Sequence, residues 1–197
     1  MTVQVGQPAP DFKATALVNG EFKDISLADF RGKKVVLFFY PLDFTFVCPT
    51  ELIAFQEQIG DFEERNTAVI ACSVDSKYSH MAWTKTPRAQ GGIQGVNYPL
   101  VADITKNIAR AYNVLMEDKG IALRGLFLLD EKGIVHHMAV NENSLGRNVE
   151  EVLRMVDALA FHQQHGEVCP ANWQKGDKAI NTKKAGEYFQ TVMAKTH

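Results

Sequence analysis

The stretch "YPLDFTFVCPTEL" (40–52) sets a cysteine, Cys48, between a strongly apolar run and a segment patterned as a helix. The run "KVVLFFYP" (34–41) has the character of a strand covered on both faces. Past the cysteine, Leu52, Phe55, Ile59 and Phe62 recur at helical spacing, which predicts an amphipathic helix over 50–66. Cys48 therefore falls where a strand ends and a helix begins, the edge of an α/β sheet at which ligands and chemistry collect. Two helix starts fit: Thr45 as the cap with Cys48 in the first turn, or Cys48 as the cap with Pro49 at the first helical position. In both, the sulfur lies near unpaired N–H groups and the positive end of the helix dipole, which favour thiolate over thiol.

The neighbours narrow what such a nucleophile would attack. The Thr45 hydroxyl can donate and accept at once, which suits a small R–O–O–H whose one oxygen is attacked while the other leaves. Pro41 and Pro49 carry no N–H, so they shape the pocket without competing for the sulfur. Glu51 is an anion close to a thiolate, unfavourable unless it holds an arginine in place. Two arginines stand at ends of elements: Arg124 opens "RGLFLLD" and Arg147 precedes the last long helix. Guanidinium forks there can stabilise both the thiolate and the charge on a leaving oxygen.

The elements that must position these groups alternate along the chain. Asn19-Gly20 in "LVNGEF" (17–22) predicts a hairpin. "TAVIACSVD" (67–75) reads as a second buried strand, "SKYSHMAWTKT" (76–86) and "ITKNIARAYNV" (104–114) as helices, and 124–141 as two strands joined at Asp130–Gly133. "NVEEVLRMVDALAFHQQH" (148–165) carries Val149, Val152, Leu153, Val156 and Leu159 on one face, with Gly166 as its stop. The order implies an α/β fold with a central mixed sheet flanked by helices. From residue 166 the chain turns polar, so the expected division is 1–165 as the domain and 166–197 as an arm, with a short helix near 185–194.

Composition excludes several classes. The formal net charge of -2 offers no electrostatic footprint for nucleic acid or an anionic membrane. No apolar run approaches a membrane span, and "MTVQVGQPAPDFKA" lacks the regions of a signal peptide, so the expected compartment is the cytoplasm. Three scattered cysteines make no disulfide scaffold, and without C-x-x-C there is no thioredoxin-type pair in one loop. His162 and His165 share a helical face without thiol or acidic partners, so no metal site is expected; adjacent His136 and His137 point to opposite faces of a strand. Cys72, inside a buried strand, reads as a structural thiol, and Trp83 and Trp173 as packing residues. "QGGIQGVNYPLVAD" (90–103) is glycine-rich but lacks the Lys-Ser/Thr and spacing of a phosphate or dinucleotide loop.

Taken together, Pro41-x-x-x-Thr45-x-x-Cys48, "GEVCPANW" (166–173), "LRGLFLLD", "SLGRNVEEVLR" and the opening "GQPAPDFKATA" resemble the typical two-cysteine peroxiredoxins over nearly the whole chain. The resemblance implies a thioredoxin-like fold with a C-terminal extension, and peroxide reduction with no metal, haem or flavin cofactor. It makes Cys48 the peroxidatic and Cys169 the resolving cysteine, the latter supplied by the partner chain of a head-to-tail dimer; such dimers often form rings of five. Thr45 and Arg124 would contact peroxide and thiolate, Pro41 would shield the thiolate, and Glu51 with Arg147 would complete the arginine network. An external dithiol, thioredoxin or a dedicated flavin disulfide reductase, would restore the thiols. Gly91-Gly92-Ile93-Gln94 stands where the family often has Gly-Gly-Leu-Gly, paired with Tyr188-Phe189, and both segments would control over-oxidation. The alternative readings are a holdase chaperone or peroxide-signalling relay on the same fold, and a one-cysteine peroxidase with Cys169 idle.

Overall fold

The computed structural model describes residues 3–195. These residues form two compact units, which divide between Val149 and Glu150.

The first unit is built on a mixed seven-stranded sheet of order β2-β1-β5-β4-β3-β8-β9. Here β1 is Lys13–Val18, β2 Glu21–Ser26, β3 Lys34–Phe39, β4 Thr67–Ser73, β5 Leu100–Ala102, β8 Arg124–Leu129 and β9 Val135–Asn141; the two-residue strands β6 (Leu115–Met116) and β7 (Ile121–Ala122) form a separate hairpin. The predicted first hairpin is present, with Val18 opposite Glu21 and positive φ at Asn19 (51°) and Gly20 (78°), the conformation a two-residue turn between twisted strands requires. Central β3 runs parallel to β4 and antiparallel to β8, and all six of its residues are buried, as its continuous apolar run predicts. Around it Phe39, Phe127 and Tyr112 interlock, with ring centroids 4.9–5.9 Å apart, in a core that also holds Cys72.

Four helices belong to this unit: α1 (Cys48–Glu57), α2 (Ile59–Glu64), α3 (Lys77–Lys85) and α4 (Asn107–Ala111). The helix expected over 50–66 is broken at Gln58, whose φ of -106° and ψ of 14° end α1 and begin α2. Exposed Gly60, a poor helix former, follows at once and weakens any continuous helix there. The helix expected over 104–114 is shorter for an electrostatic reason. The Asp103 carboxylate accepts from the N–H groups of Ile108 (3.1 Å) and Ala109 (2.7 Å), Lys106 is left-handed, and residues 104–106 become the turn between them. Strand β5 was not expected; three residues are too few for a periodic signal.

The glycine-rich segment after α3 closes onto that helix. Trp83 Nε1 donates to the Gly91 carbonyl (2.8 Å), and the Ile93 N–H donates to the Trp83 carbonyl (3.2 Å). Ile93 is buried, and a Cβ on Gly92 would collide with the Thr86 carbonyl, so this position admits glycine alone without a backbone shift. Gln94 is exposed, and its carbonyl accepts from Arg88 Nε at 3.0 Å.

In the second unit, α5 (Val149–His165) ends at Gly166, whose φ is 68° and whose N–H donates to the His162 carbonyl at 2.8 Å. Val152, Val156 and Leu159 are buried as the apolar face predicts. The arm folds back through a bridge between Val168 and Ile180, and α6 (Ala185–Thr191) follows. Among the described residues, no helix is long and apolar enough to cross a membrane.

Candidate active site

Cys48 is the first residue of α1, and Val47 precedes the helix without a side-chain cap. Neither expected cap operates: Thr45 Oγ1 donates instead to the Leu42 carbonyl (3.0 Å), which ties down the loop between β3 and α1. Cys48 is fully buried. As the first residue of α1 it stands at the positive end of the helix dipole.

A buried ion cluster surrounds it. Arg124 Nη1 lies 3.4 Å from Cys48 Sγ and 2.7 Å from Glu51 Oε2. The other edge of the guanidinium, Nε and Nη2, donates to the Asn143 carbonyl at 2.9 and 2.7 Å. Arg147 approaches the same carboxylate from the far side, with Nε to Oε1 and Nη2 to Oε2 both at 2.8 Å, and its backbone N–H adds a third contact at 2.9 Å. Its Nη1 donates to the carbonyls of Phe39 and Gly125, and its guanidinium lies over the Phe38 ring. Glu51 is thus an anion held by two cations, which removes the objection to placing it near a thiolate. Two like charges and one opposite charge, all at most 5% exposed, leave net positive charge beside the sulfur.

The structure therefore brings Cys48, Glu51, Arg124 and Arg147 into one cluster. Pro41 is buried just past the end of β3, and Thr45 is held in the same loop. Gly91, Gly92, Ile93 and Gln94 form the turn on α3 described above. Cys169, Tyr188 and Phe189 lie in the second unit, the two aromatic rings 6.3 Å apart on α6 with Phe189 half-exposed. Cys72 is buried in β4, and desolvation, with Asp103 second, pushes its thiol well up, as fits a structural role.

Two features escaped the sequence reading. Asn143 acts through its main-chain carbonyl, which no side-chain pattern reveals. The second is a buried polar network under the loop. The Asp43 carboxylate accepts from the Tyr40 hydroxyl (2.8 Å) and from His80 Nδ1 (2.8 Å), while the Asp43 N–H and Ser73 hydroxyl both donate to Asp75. Burial, reinforced by Asp43, raises the Tyr40 phenol well above its usual range, so it stays a donor. Burial and the Asp43 charge likewise raise Asp75. A polar Asp43 inside an apolar stretch was the available signal, but its partner lies 37 residues away.

The AhpC/TSA family matches residues 5–138, and the C-terminal domain of 1-Cys peroxiredoxin matches residues 158–191. The chain belongs to the AhpC/TSA family and is a peroxiredoxin. It is 56% identical to peroxiredoxin tpx1 of Schizosaccharomyces pombe, over 96% of this chain and 98% of the relative. It is 55% identical to the mitochondrial thioredoxin-dependent peroxide reductase of Homo sapiens, over 95% of this chain and 74% of that protein. The crystal structure of reduced Plasmodium vivax 2-Cys peroxiredoxin superposes with a TM-score of 0.92 at 48% identity, covering 95% of this chain and 98% of its own. The fold is accordingly the thioredoxin-like peroxiredoxin fold that the family resemblance implies.

Removing the shared carboxylate tests the cluster directly. Glu51→Ala leaves two buried guanidiniums facing each other, and breaking a buried ion pair typically costs roughly 3–5 kcal/mol. Urea unfolding should show a loss of that order, with Glu51→Gln losing less because an amide still accepts hydrogen bonds. A midpoint within experimental error of wild type for Glu51→Ala would contradict the cluster.

Proposed function

We propose that this chain is a thiol-dependent peroxidase that reduces hydrogen peroxide and alkyl hydroperoxides. The observation that carries the reading is the guanidinium Nη1 of Arg124, 3.4 Å from Cys48 Sγ and fixed by Glu51. Cys48 thiolate attacks the terminal peroxide oxygen, the O–O bond breaks, and the leaving hydroxide or alkoxide takes a proton. The sulfur becomes a sulfenic acid. Arg124 supports both the thiolate and the departing oxygen, Thr45 orients the peroxide, Pro41 shields the sulfur, and Glu51 with Arg147 holds Arg124.

Cys169 of the partner chain then attacks the sulfenic sulfur, forming a disulfide and releasing water. An external dithiol restores both thiols by exchange. Thioredoxin is the favoured reductant, since relatives bear names that specify it, and a dedicated flavin disulfide reductase is the second candidate. The working assembly is a homodimer, and the ring of five dimers its larger form. The cytoplasm is the proposed compartment.

A non-reducing gel tests the pairing. Peroxide should convert the monomer band to a dimer band. Cys48→Ser and Cys169→Ser should each abolish it, and Cys72→Ser should leave it. A dimer band that survives in Cys169→Ser would return the reading to a one-cysteine peroxidase.

Arg124→Ala should slow oxidation of Cys48 by peroxide about 10²–10³-fold, the usual cost of losing a preorganised donor aimed at developing charge. Stopped-flow traces at near wild-type speed would assign that role elsewhere.

Over-oxidation supplies the third test. A disulfide needs Cα atoms within about 7 Å, so the turn carrying buried Cys48 must open locally before Cys169 can reach it. In the proposed control, the helix bearing Tyr188 and Phe189 raises the cost of that opening, and the Gly91–Gln94 turn braces the helix. A sulfenic acid held longer is oxidised further to sulfinic acid. Gln94 in place of glycine loosens the brace, giving intermediate sensitivity. Deleting residues 186–197 should lower the sulfinic fraction of Cys48 at high peroxide, read by mass spectrometry; an unchanged fraction would remove the tail from this role.

A further inference from the structure

The arm that carries Cys169 is clasped along one face of α5. Arg154, Ala158, Phe161 and His162 stand at spacings of 4, 3 and 1, so they share that face. His162 Nδ1 lies 2.8 Å from the Glu167 carbonyl, the Cys169 thiol donates to the Ala158 carbonyl at 3.7 Å, and Arg154 Nη1 donates to the Trp173 carbonyl at 2.9 Å. The rings of Phe161 and Trp173 pack 5.0 Å apart, and Trp173 is 2% exposed. Residues 167–173 therefore run back along the helix, with Cys169 between two anchors.

Arg154 is itself held from within α5. Its Nε and Nη2 grip both oxygens of Glu151, at 2.6 and 2.8 Å, in the forked geometry that leaves a guanidinium one orientation. The remaining Nη1 is thereby directed at the arm.

We propose that Arg154 is the positioning residue of the resolving step: it holds the arm at Trp173 and sets a cation one helical turn before Ala158, whose carbonyl accepts from the Cys169 thiol. The inference rests on the reading of Cys169 as the resolving cysteine. Disulfide formation needs the Cys169 thiolate. That thiolate attacks the Cys48 sulfenic sulfur; the S–S bond forms, the S–O bond breaks, and the departing hydroxide takes up the proton Cys169 gave to solvent, so water is the product.

The electrostatics run in the required direction. Burial pushes the Cys169 thiol up, and the Arg154 charge opposes that shift. Of the other titratable groups along this face, Glu151 is paired with Arg154, the His162 ring is engaged with the Glu167 carbonyl, and the His165 ring packs 4.5 Å from that of Phe161. Loss of Arg154 thus leaves burial unopposed and moves thiolate formation to higher pH.

The test is a single-turnover experiment on the full chain. Reduced protein receives one equivalent of hydrogen peroxide, is quenched with an alkylating reagent at intervals, and the Cys48 sulfenic acid and the Cys48–Cys169 disulfide are counted by mass spectrometry from pH 5.5 to 9. Arg154→Ala should accumulate sulfenic acid and form the disulfide about fivefold more slowly at neutral pH, with the deficit closing as pH rises, because the lost quantity is thiolate fraction. Arg154→Lys should recover the pH profile, since it restores the cation without the fork. A uniform slowing at every pH that lysine does not rescue would reduce Arg154 to a structural clamp and overturn the inference. A wild-type rate and profile in Arg154→Ala, with Cys169→Ser forming no disulfide, would overturn it while leaving the proposed function standing. A disulfide that persists in Cys169→Ser would instead sink the reading of Cys169 on which the inference rests.

Discussion

One carboxylate between two buried guanidiniums is the constraint from which the site follows. Glu51 accepts from Arg124 on one side and Arg147 on the other, and all three side chains are at most 5% exposed. Without Glu51 the arginines would repel each other in a medium that screens little. The carboxylate must therefore arrive at one place. It does so because α1 begins at Cys48, so residue 51 lies three positions on and returns to the side of the helix that carries the sulfur. The same helical turn thus delivers the nucleophile and the group that holds its cation.

The cations arrive by register. Arg124 is the first residue of β8, which pairs with β3 so that Leu126 faces Phe38 and Phe127 faces Leu37. A slip of one residue would send Arg124 to the opposite face of the sheet and leave Glu51 half-paired. The remaining N–H groups are satisfied by main-chain carbonyls at or near strand ends, those of Phe39, Gly125 and Asn143. A buried guanidinium is tolerable on these terms, since each of its three nitrogens donates to a carbonyl or carboxylate. On the other flank of the loop, Asp43 is bonded to Tyr40 and His80. The strand-to-helix junction is thereby pinned from two sides, by an ionic cluster and by a hydrogen-bonded one.

This arrangement explains what could be read in the sequence and what could not. Thr45, Cys48 and Glu51 lie within seven residues, so their proximity is local and their chemistry legible before folding. The strands β3, β4 and β8 announce themselves because buried strands need unbroken apolar runs. Arg124 and Arg147 were visible only as arginines at the ends of elements, and family resemblance was needed to choose them. Asn143 and the Asp43–His80 pair stayed hidden, the first because it works through backbone, the second because its partners meet only once α3 has packed. The shortened α4 had a local cause, the Asp103 carboxylate capturing two N–H groups, that periodicity does not register.

The junction also separates what must be rigid from what must move. The helix start lacks a side-chain cap, since Val47 has no group to accept from the first-turn N–H groups. A serine or aspartate there would add about 0.5–2 kcal/mol to that turn. Instead the Thr50 N–H, the Thr50 hydroxyl and the Glu51 N–H all converge on the single carbonyl of Val47. Glu51, by contrast, is fixed by four side-chain and backbone contacts from two arginines. Unwinding the turn at 47–50 gives up the bonds to the Val47 carbonyl and the Arg124 contact to Cys48 Sγ, while the two arginines still hold the Glu51 carboxylate at the end of that turn. A nucleophile that must first be buried and then meet a second thiol is served by this division: weak capping lets Cys48 leave, and the buried carboxylate keeps the site ready for its return.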